Sequence, residues 1–301
     1  GKTRYWLKPN LLQFNTSFVI TDPSGELLAD AGQALMNHGY RVKVFNLSEM
    51  QYSCMYNPFQ YIRNDEGVMV LVKCMMKNTD DSKASKGDQF FAKAEECLFM
   101  AIFYYIYYEY KDQPERQNMD EVMKMLRKAK VNEKNEDIKS PLDIMFDELE
   151  KRDKNHIAVK NYKIFRMGTG KTLKSILISA GVRMAPFNIK AIRDLTQKDT
   201  LHLEELGDRK QALFVITHTR DSTFNFLAAM MCTQLFETLH YIAGTGNKNS
   251  WHLRKGNCVT LKSGQFKNNQ QKEDQKKFLE SQVERYRNAE LEKDDPREEK
   301  F

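Results

Sequence analysis

Cysteine is scarce and unpatterned. The five residues, Cys54, Cys74, Cys97, Cys232 and Cys258, are odd in number, show no CxxC spacing and have no neighbouring histidine pairs. That speaks against a disulfide framework or a zinc site and suits a reducing compartment. Long apolar runs are missing too: Cys97 to Tyr108 is the longest, well short of the roughly 20 residues that a membrane-crossing helix requires. No signal peptide opens the sequence, so it reads as a soluble chain. The histidines have no triad-like companions, which leaves nucleophilic hydrolase chemistry unsupported. A strong charge of one sign is also lacking. The net charge of +6 and pI near 8.8 favour a polyanion without establishing one. There is no initiator Met, and Gly1-Lys2-Thr3 reads as the second half of a longer motif or as a cloning scar, so the expectation is a chain cut at its beginning.

What is present is enough for a real core, with 41% hydrophobic residues in 301, sufficient for one large domain or two modest ones. The organising stretch is Ser17 to Asn46. A β-rich run, Phe18-Val19-Ile20-Thr21, breaks at Asp22-Pro23-Ser24-Gly25-Glu26. It turns helical through Leu27, Leu28, Ala31, Leu35 and Met36, stops at His38-Gly39, and returns as a strand from Arg41 to Phe45. This is a βαβ pattern with parallel strands. Proline bars a central strand from continuing, Gly25 permits the turn, and a carboxylate at Glu26 suits the positive end of the new helix. Ligands of open parallel sheets sit at the carboxyl ends of the strands, where Asp22 and Glu26 fall.

Ahead of that unit, Gly1-Lys2-Thr3 leads into a short helical stretch to about Leu12. Beyond it come a turn at Tyr56-Asn57-Pro58-Phe59 and a polar loop from Lys77 to Asp88. From Gln89 the apolar period becomes helical through Phe90, Phe91, Ala94, Leu98, Ala101, Ile102, Tyr105 and Ile106. The dense tyrosines there read as core and rim of a helical domain. Helices are expected at Met119 to Ala129, at Pro141 to Arg152 with Ser140 as N-cap, at His156 to Arg166 and at Thr172 to Ala180. Strand character returns at Ala212-Leu213-Phe214-Val215-Ile216, an unbroken apolar run suited to a strand buried on both faces. Asp221-Ser222-Thr223 then caps a long amphipathic helix. The boundaries implied are 1–87, 88–200, 201–243 and 244–301, the last a charged tail that is helical or disordered.

Gly168-Thr169-Gly170-Lys171-Thr172 imitates a phosphate loop, but Phe165 stands where its first glycine belongs, and the run lies between two helices. It reads as a turn capping the helix from Thr172. Lys171, Lys174 and Arg183 form either a basic helix face or a solvated surface. Asp22 and Glu26 are either a metal or catalytic carboxylate pair, or a helix cap and a first-turn dipole partner. His218 lies where a γ-phosphate sensor would, or is a loop histidine.

Together these pieces resemble the TraG-type coupling proteins of type IV secretion. The carrying residues are Gly1-Lys2-Thr3-Arg4 with Lys8-Pro9-Asn10-Leu11, Val19 to Leu27, Gly39 to Val42 and Tyr56-Asn57-Pro58-Phe59. Later come Gly170 to Leu177, Arg183-Met184-Ala185-Pro186-Phe187, and Ala212 to Ile216 with Asp221 to Phe226. The resemblance spans about residues 1 to 243. It implies an α/β fold in which an incomplete RecA-like P-loop parallel sheet (residues 1–87 and 201–243) is interrupted by an all-helical insertion domain (88–200). It also implies a homo-hexameric ATPase at the cytoplasmic face of the bacterial inner or plasma membrane. There the family hands single-stranded DNA and relaxase to the channel proteins of the secretion system.

ATP and Mg²⁺ are the implied cofactors. On the family pattern Gly1, Lys2 and Thr3 close the Walker A loop, with Lys2 on the β and γ phosphates and Thr3 on the metal. Asp22 and Glu26 lie on the nucleotide side. Three features depart from the pattern: the glycines before Gly1 are absent, Ser24 stands in place of the usual lysine, and no Asp-Glu Walker B strand follows Ile242. The expectation is therefore an incomplete catalytic site, the alternative being a non-catalytic substrate- or DNA-binding fragment that acts through the helical domain. An unfinished sheet exposes an apolar edge, which implies aggregation or dependence on a partner.

Overall fold

Four β-favouring residues, Phe18–Thr21, form strand β1 of the computed structural model, which describes residues 3–79, 88–131, 138–217, 223–244 and 261–262. Before it, a π-helical turn Thr3–Leu7 runs into the short helix α1 (Lys8–Leu11). After it come α2 (Glu26–Asn37), β2 (Arg41–Asn46), α3 (Asp65–Asn78), α4 (Asp88–Glu109) and α5 (Met119–Lys128). Then follow α6 (Pro141–Arg152), α7 (Ile157–Arg166), α8 (Gly170–Arg183), α9 (Lys190–Gln197), α10 (Glu205–Asp208), β3 (Gln211–Ile216), α11 (Asn225–Gly244) and β4 (Leu261–Lys262). The chain divides into two compact units. The first comprises Gly1–Met55, Thr200–Ala228 and Leu235–Phe301, and the second Tyr56–Asp199 with Ala229–Gln234.

The first unit is an α/β layer on a parallel sheet of order β2-β3-β1-β4. The βαβ pattern is present, but β1 and β2 are not neighbours. β3 lies between them, pairing Phe18 with Ala212 on one side and Arg41 with Gln211 on the other. Its six residues are all buried, as the continuous apolar run from Ala212 to Ile216 requires. Ile20, Val42, Val44, Ala212, Phe214 and Ile216 form one core with Leu27, Leu28, Ala31 and Leu35 of α2 and with Leu7 and Leu11 of the N-terminal helical segment. Helix α2 stops in a Schellman arrangement. Gly39 takes φ 80°, its N–H reaches Met36 O at 3.0 Å, and Tyr40 N–H reaches Leu35 O at 3.0 Å. The two ends of α11 belong to this unit and its middle turn to the other. The charged tail, expected to be helical or disordered, supplies β4 where the β-prone run Val259-Thr260-Leu261 occurs, pairing Leu261 with Ile20. The rest of that tail, with His218, Asp221 and Ser222, lies outside the described residues.

In the second unit every described regular element is helical. Helix α4 buries Leu98 to Tyr105 and Ile106, while Tyr107 is half-buried and Tyr108 exposed. Ser140 caps α6 in a full capping box with Asp143, with proline in the first turn. Phe146 and Tyr162 stack at 4.0 Å between α6 and α7. The sequence reading places no element over most of helix α3, and its last two residues, Lys77 and Asn78, fall in the stretch expected as a polar loop. The Asn64 side chain accepts from Gly67 N–H at 2.9 Å, and Asp65 and Glu66 fill the first turn. A glycine in that turn and short apolar steps hide the period. Helix α8 begins at Gly170, not Thr172. Arg183 does not join Lys171 and Lys174 in a surface face. Its guanidinium donates to Glu95 Oε1 at 2.8 Å, Met76 O at 2.8 Å and Thr79 Oγ1 at 3.0 Å. An arginine only 10% exposed needs that carboxylate, because a buried charge left alone is costly.

Glu95→Ala should therefore cost roughly 3–5 kcal/mol in urea unfolding, and Glu95→Leu combined with Arg183→Met much less, because no charge is then stranded. Alkali provides a second measurement. Burial first, then the Tyr110 charge, raises Tyr105 to about 12. The bond to the Asp65 carboxylate, then burial, raises Tyr108 to about 12. Burial also raises Tyr104, Tyr110 and Tyr162. Folding favours the protonated phenol in each case, so the stabilisation is complete below pH ~10 and is lost as pH rises through the folded values. Absorbance at 295 nm should show a tyrosine fraction that ionises only with the loss of far-ultraviolet ellipticity.

Candidate functional site

The sheet's carboxyl edge is built around Asp22. Its N–H continues the ladder to Val215 O at 2.9 Å, its carbonyl accepts from Gly25 N–H at 3.0 Å, and its Oδ2 accepts from Leu28 N–H at 2.9 Å. The first N–H groups of a helix have no partner within it. A carboxylate placed there satisfies one and meets the positive end of the dipole. Asp22 is fully buried and Ser24 nearly so, and the cap reading of Asp22 is the one this geometry realises. Gly25 sits at the N-cap with φ 70°, a left-handed conformation that a Cβ would strain, and its carbonyl takes Ala29 N–H at 3.0 Å.

Glu26 faces the N-terminal helical segment. Lys8 Nζ lies 3.3 Å from Glu26 Oε1 and also contacts Asp30 Oδ2. Burial alone would lower the Lys8 pKa; hydrogen bonds and charge from Asp30 and Glu26 outweigh it and raise the value. One ammonium thus ties the segment that begins at Thr3 to the first turns of α2. Asp30, which sequence reading did not single out, had a visible signal: it stands four residues after Glu26, a like-charged pair on one helix face that needs a counter-charge.

Of the residues expected to meet a nucleotide, Thr3 opens the π-helical turn and is half-buried, while Gly1 and Lys2 lie outside the described residues. Among the described residues no three of His, Cys, Asp and Glu gather as metal ligands. The carboxylate of Asp22 is buried against Leu28, and Glu26 is engaged by Lys8. Both carboxylates are thus already engaged within the fold. No helix among the described residues is long and apolar enough to cross a membrane.

Replacing Asp22 by alanine should lower stability by about 1–2 kcal/mol, the usual loss of a helix cap, whereas Asp22→Asn keeps an acceptor for Leu28 N–H and should lose less. Urea midpoints at pH 7 measure both. Equal losses for the two variants would show that the charge, and not the hydrogen bond, holds the turn.

No curated protein matches the chain. Residues 1–253 match the model of a family described as Type IV secretory system Conjugative DNA transfer. A match over that length takes in the whole succession from Gly1-Lys2-Thr3 through the Asp22 turn, the helical unit and β3. This chain belongs to the type IV secretory system conjugative DNA transfer family, that of the TraG-type coupling proteins its motifs resemble.

Proposed function

We propose that the chain is the nucleotide-responsive part of a coupling protein that delivers single-stranded DNA and its relaxase to the secretion channel. In this reading it works at the cytoplasmic face of the bacterial inner or plasma membrane, and its intact form is a homo-hexamer around a RecA-like sheet interrupted by an all-helical insertion. One observation carries the nucleotide role: Lys8 fastens the Thr3 segment to Glu26 and Asp30, beside the carboxyl end of β1. That edge is where open parallel sheets hold their ligands. Lys2 then meets the β and γ phosphates and Thr3 the Mg²⁺, while Asp22 and Glu26 keep the supporting turn in shape. Bound Mg²⁺ would neutralise charge on the phosphates.

A second reading keeps only the helical unit, as a non-catalytic module for substrate or DNA. It is favoured by the surface at the α7–α8 turn, where Ile164 and Met167 are at least half exposed a few residues before the exposed Lys171, and by Ile178 and Val182 farther along α8, which are more than half exposed. Apolar residues next to an exposed cation suit a protein or nucleic-acid contact better than bare solvent.

Titration of a fluorescent ATP analogue with Mg²⁺ separates the two. The first reading expects binding that falls at least tenfold in Lys2→Ala, and a smaller loss in Lys8→Met, which frees the Thr3 segment without touching phosphate. No binding by the parent chain, with salt-dependent affinity for single-stranded DNA, would transfer the function to the helical unit.

A further inference from the structure

Cys74 lies in the last turns of α3 with its thiol half-buried. Its Sγ is 3.3 Å from Thr233 Oγ1 and 3.9 Å from Ala229 O, both on the middle turn of α11, and the Asn78 amide approaches the same sulfur at 3.5 Å. Residues three and four apart share one face of a helix. Positions 229, 232 and 233 therefore line the surface against which this sulfur rests, and position 232 is a second cysteine, also half-buried. The fully buried Tyr56 hydroxyl, which donates to Gln234 Oε1, lies within electrostatic reach of both thiols; burial first, then Cys74, Asp199 and Cys232, raise its pKa well above the ordinary phenol value.

We propose that Cys74 and Cys232 form a thiol–disulfide modification site that takes small disulfides of the glutathione class and closes into a bond between α3 and α11. The thiolate of one cysteine attacks a sulfur of the reagent disulfide, forming a mixed disulfide and expelling one thiolate. The second cysteine's thiolate attacks the protein sulfur of that mixed disulfide and expels the other. Two cysteine thiols are oxidised to one disulfide, the reagent is reduced to two thiols, and both cysteine protons end on the released thiols. Closure brings the Cys232 sulfur to that of Cys74, which already touches the same turn of α11. Half-burial lets the reagent in, whereas Cys54 is 7% exposed. Burial, then the Glu96 charge, raises the Cys97 thiol above its ordinary value, which makes it a poor nucleophile at neutral pH.

The test incubates the full chain with oxidised glutathione, traps remaining thiols with an alkylating agent and maps tryptic peptides without reduction. The expected result is the peptide Cys74–Lys77 joined to the one carrying Cys232, with Cys97 alkylated and the link lost on adding reduced glutathione. Cys97→Ser should leave the link unchanged. Cys74→Ser should abolish it and leave Cys232 carrying glutathione, and an unaltered thermal melt would show that this variant is folded. Cys74 alkylated throughout, glutathionylated without closing, or joined to Cys54, Cys97, Cys258 or a second chain would each overturn the proposal.

Discussion

Everything in the first unit depends on β3. β1 and β2 are joined by α2 but do not touch each other in the sheet; each finds its ladder on one side of Gln211–Ile216. A parallel strand buried on both faces has no solvent to fall back on, so its amides and carbonyls must be paired from both edges at once. The core is correspondingly indivisible. Phe214 and Ile216 pack with Leu27, Leu28 and Leu35, which are themselves placed by the turn after β1. Lys43, buried on β2, sends its ammonium to Thr200 O at 2.8 Å and lies 3.7 Å from Glu205, so the chain on the approach to β3 is clamped to β2 as well.

Both units fix helix ends with buried ions, by opposite means. At α2 a carboxylate fixed on the strand side takes an amide at the helix's positive end. At α3 a guanidinium from α8 takes a carbonyl at the negative end, with Glu95 supplying the counter-charge. The dipole term is small, up to roughly 1 kcal/mol where exposed. What makes these contacts decisive is burial, which raises the cost of leaving any member unmatched.

The sequence announced its elements where local chemistry was unambiguous. Phe18 to Thr21 ends on a proline turn, Ala212 to Ile216 is unbroken apolar, and Ser140-Pro141 starts a helix; these are signals of a few neighbouring residues, and the structure has all three. Helix α3 escaped because Gly67 lies in its first turn and its cap is an asparagine whose partner is that same glycine. The order of strands escaped for a different reason. Which strand lies beside β1 is settled by residues far along the chain, and the βαβ pattern is equally compatible with an intervening strand. Arg183 is the instructive residue: on sequence it stands in a helical row with Lys171 and Lys174, and only the position of Glu95 on another helix separates a buried anchor from a surface charge. The same holds for Lys8, whose partners are fixed by tertiary structure alone.

The placement of β3 also sets a schedule for synthesis. Ribosomes deliver β1, α2 and β2 first, and the strand that must stand between them follows only after Tyr56–Asp199 of the helical unit. At roughly 5–20 residues per second, that delay is on the order of ten seconds. Through this interval two apolar strands wait without their shared neighbour, while the helical unit has all but the middle turn of α11 already to hand. What leaves the ribosome first is thus what waits longest for its partner.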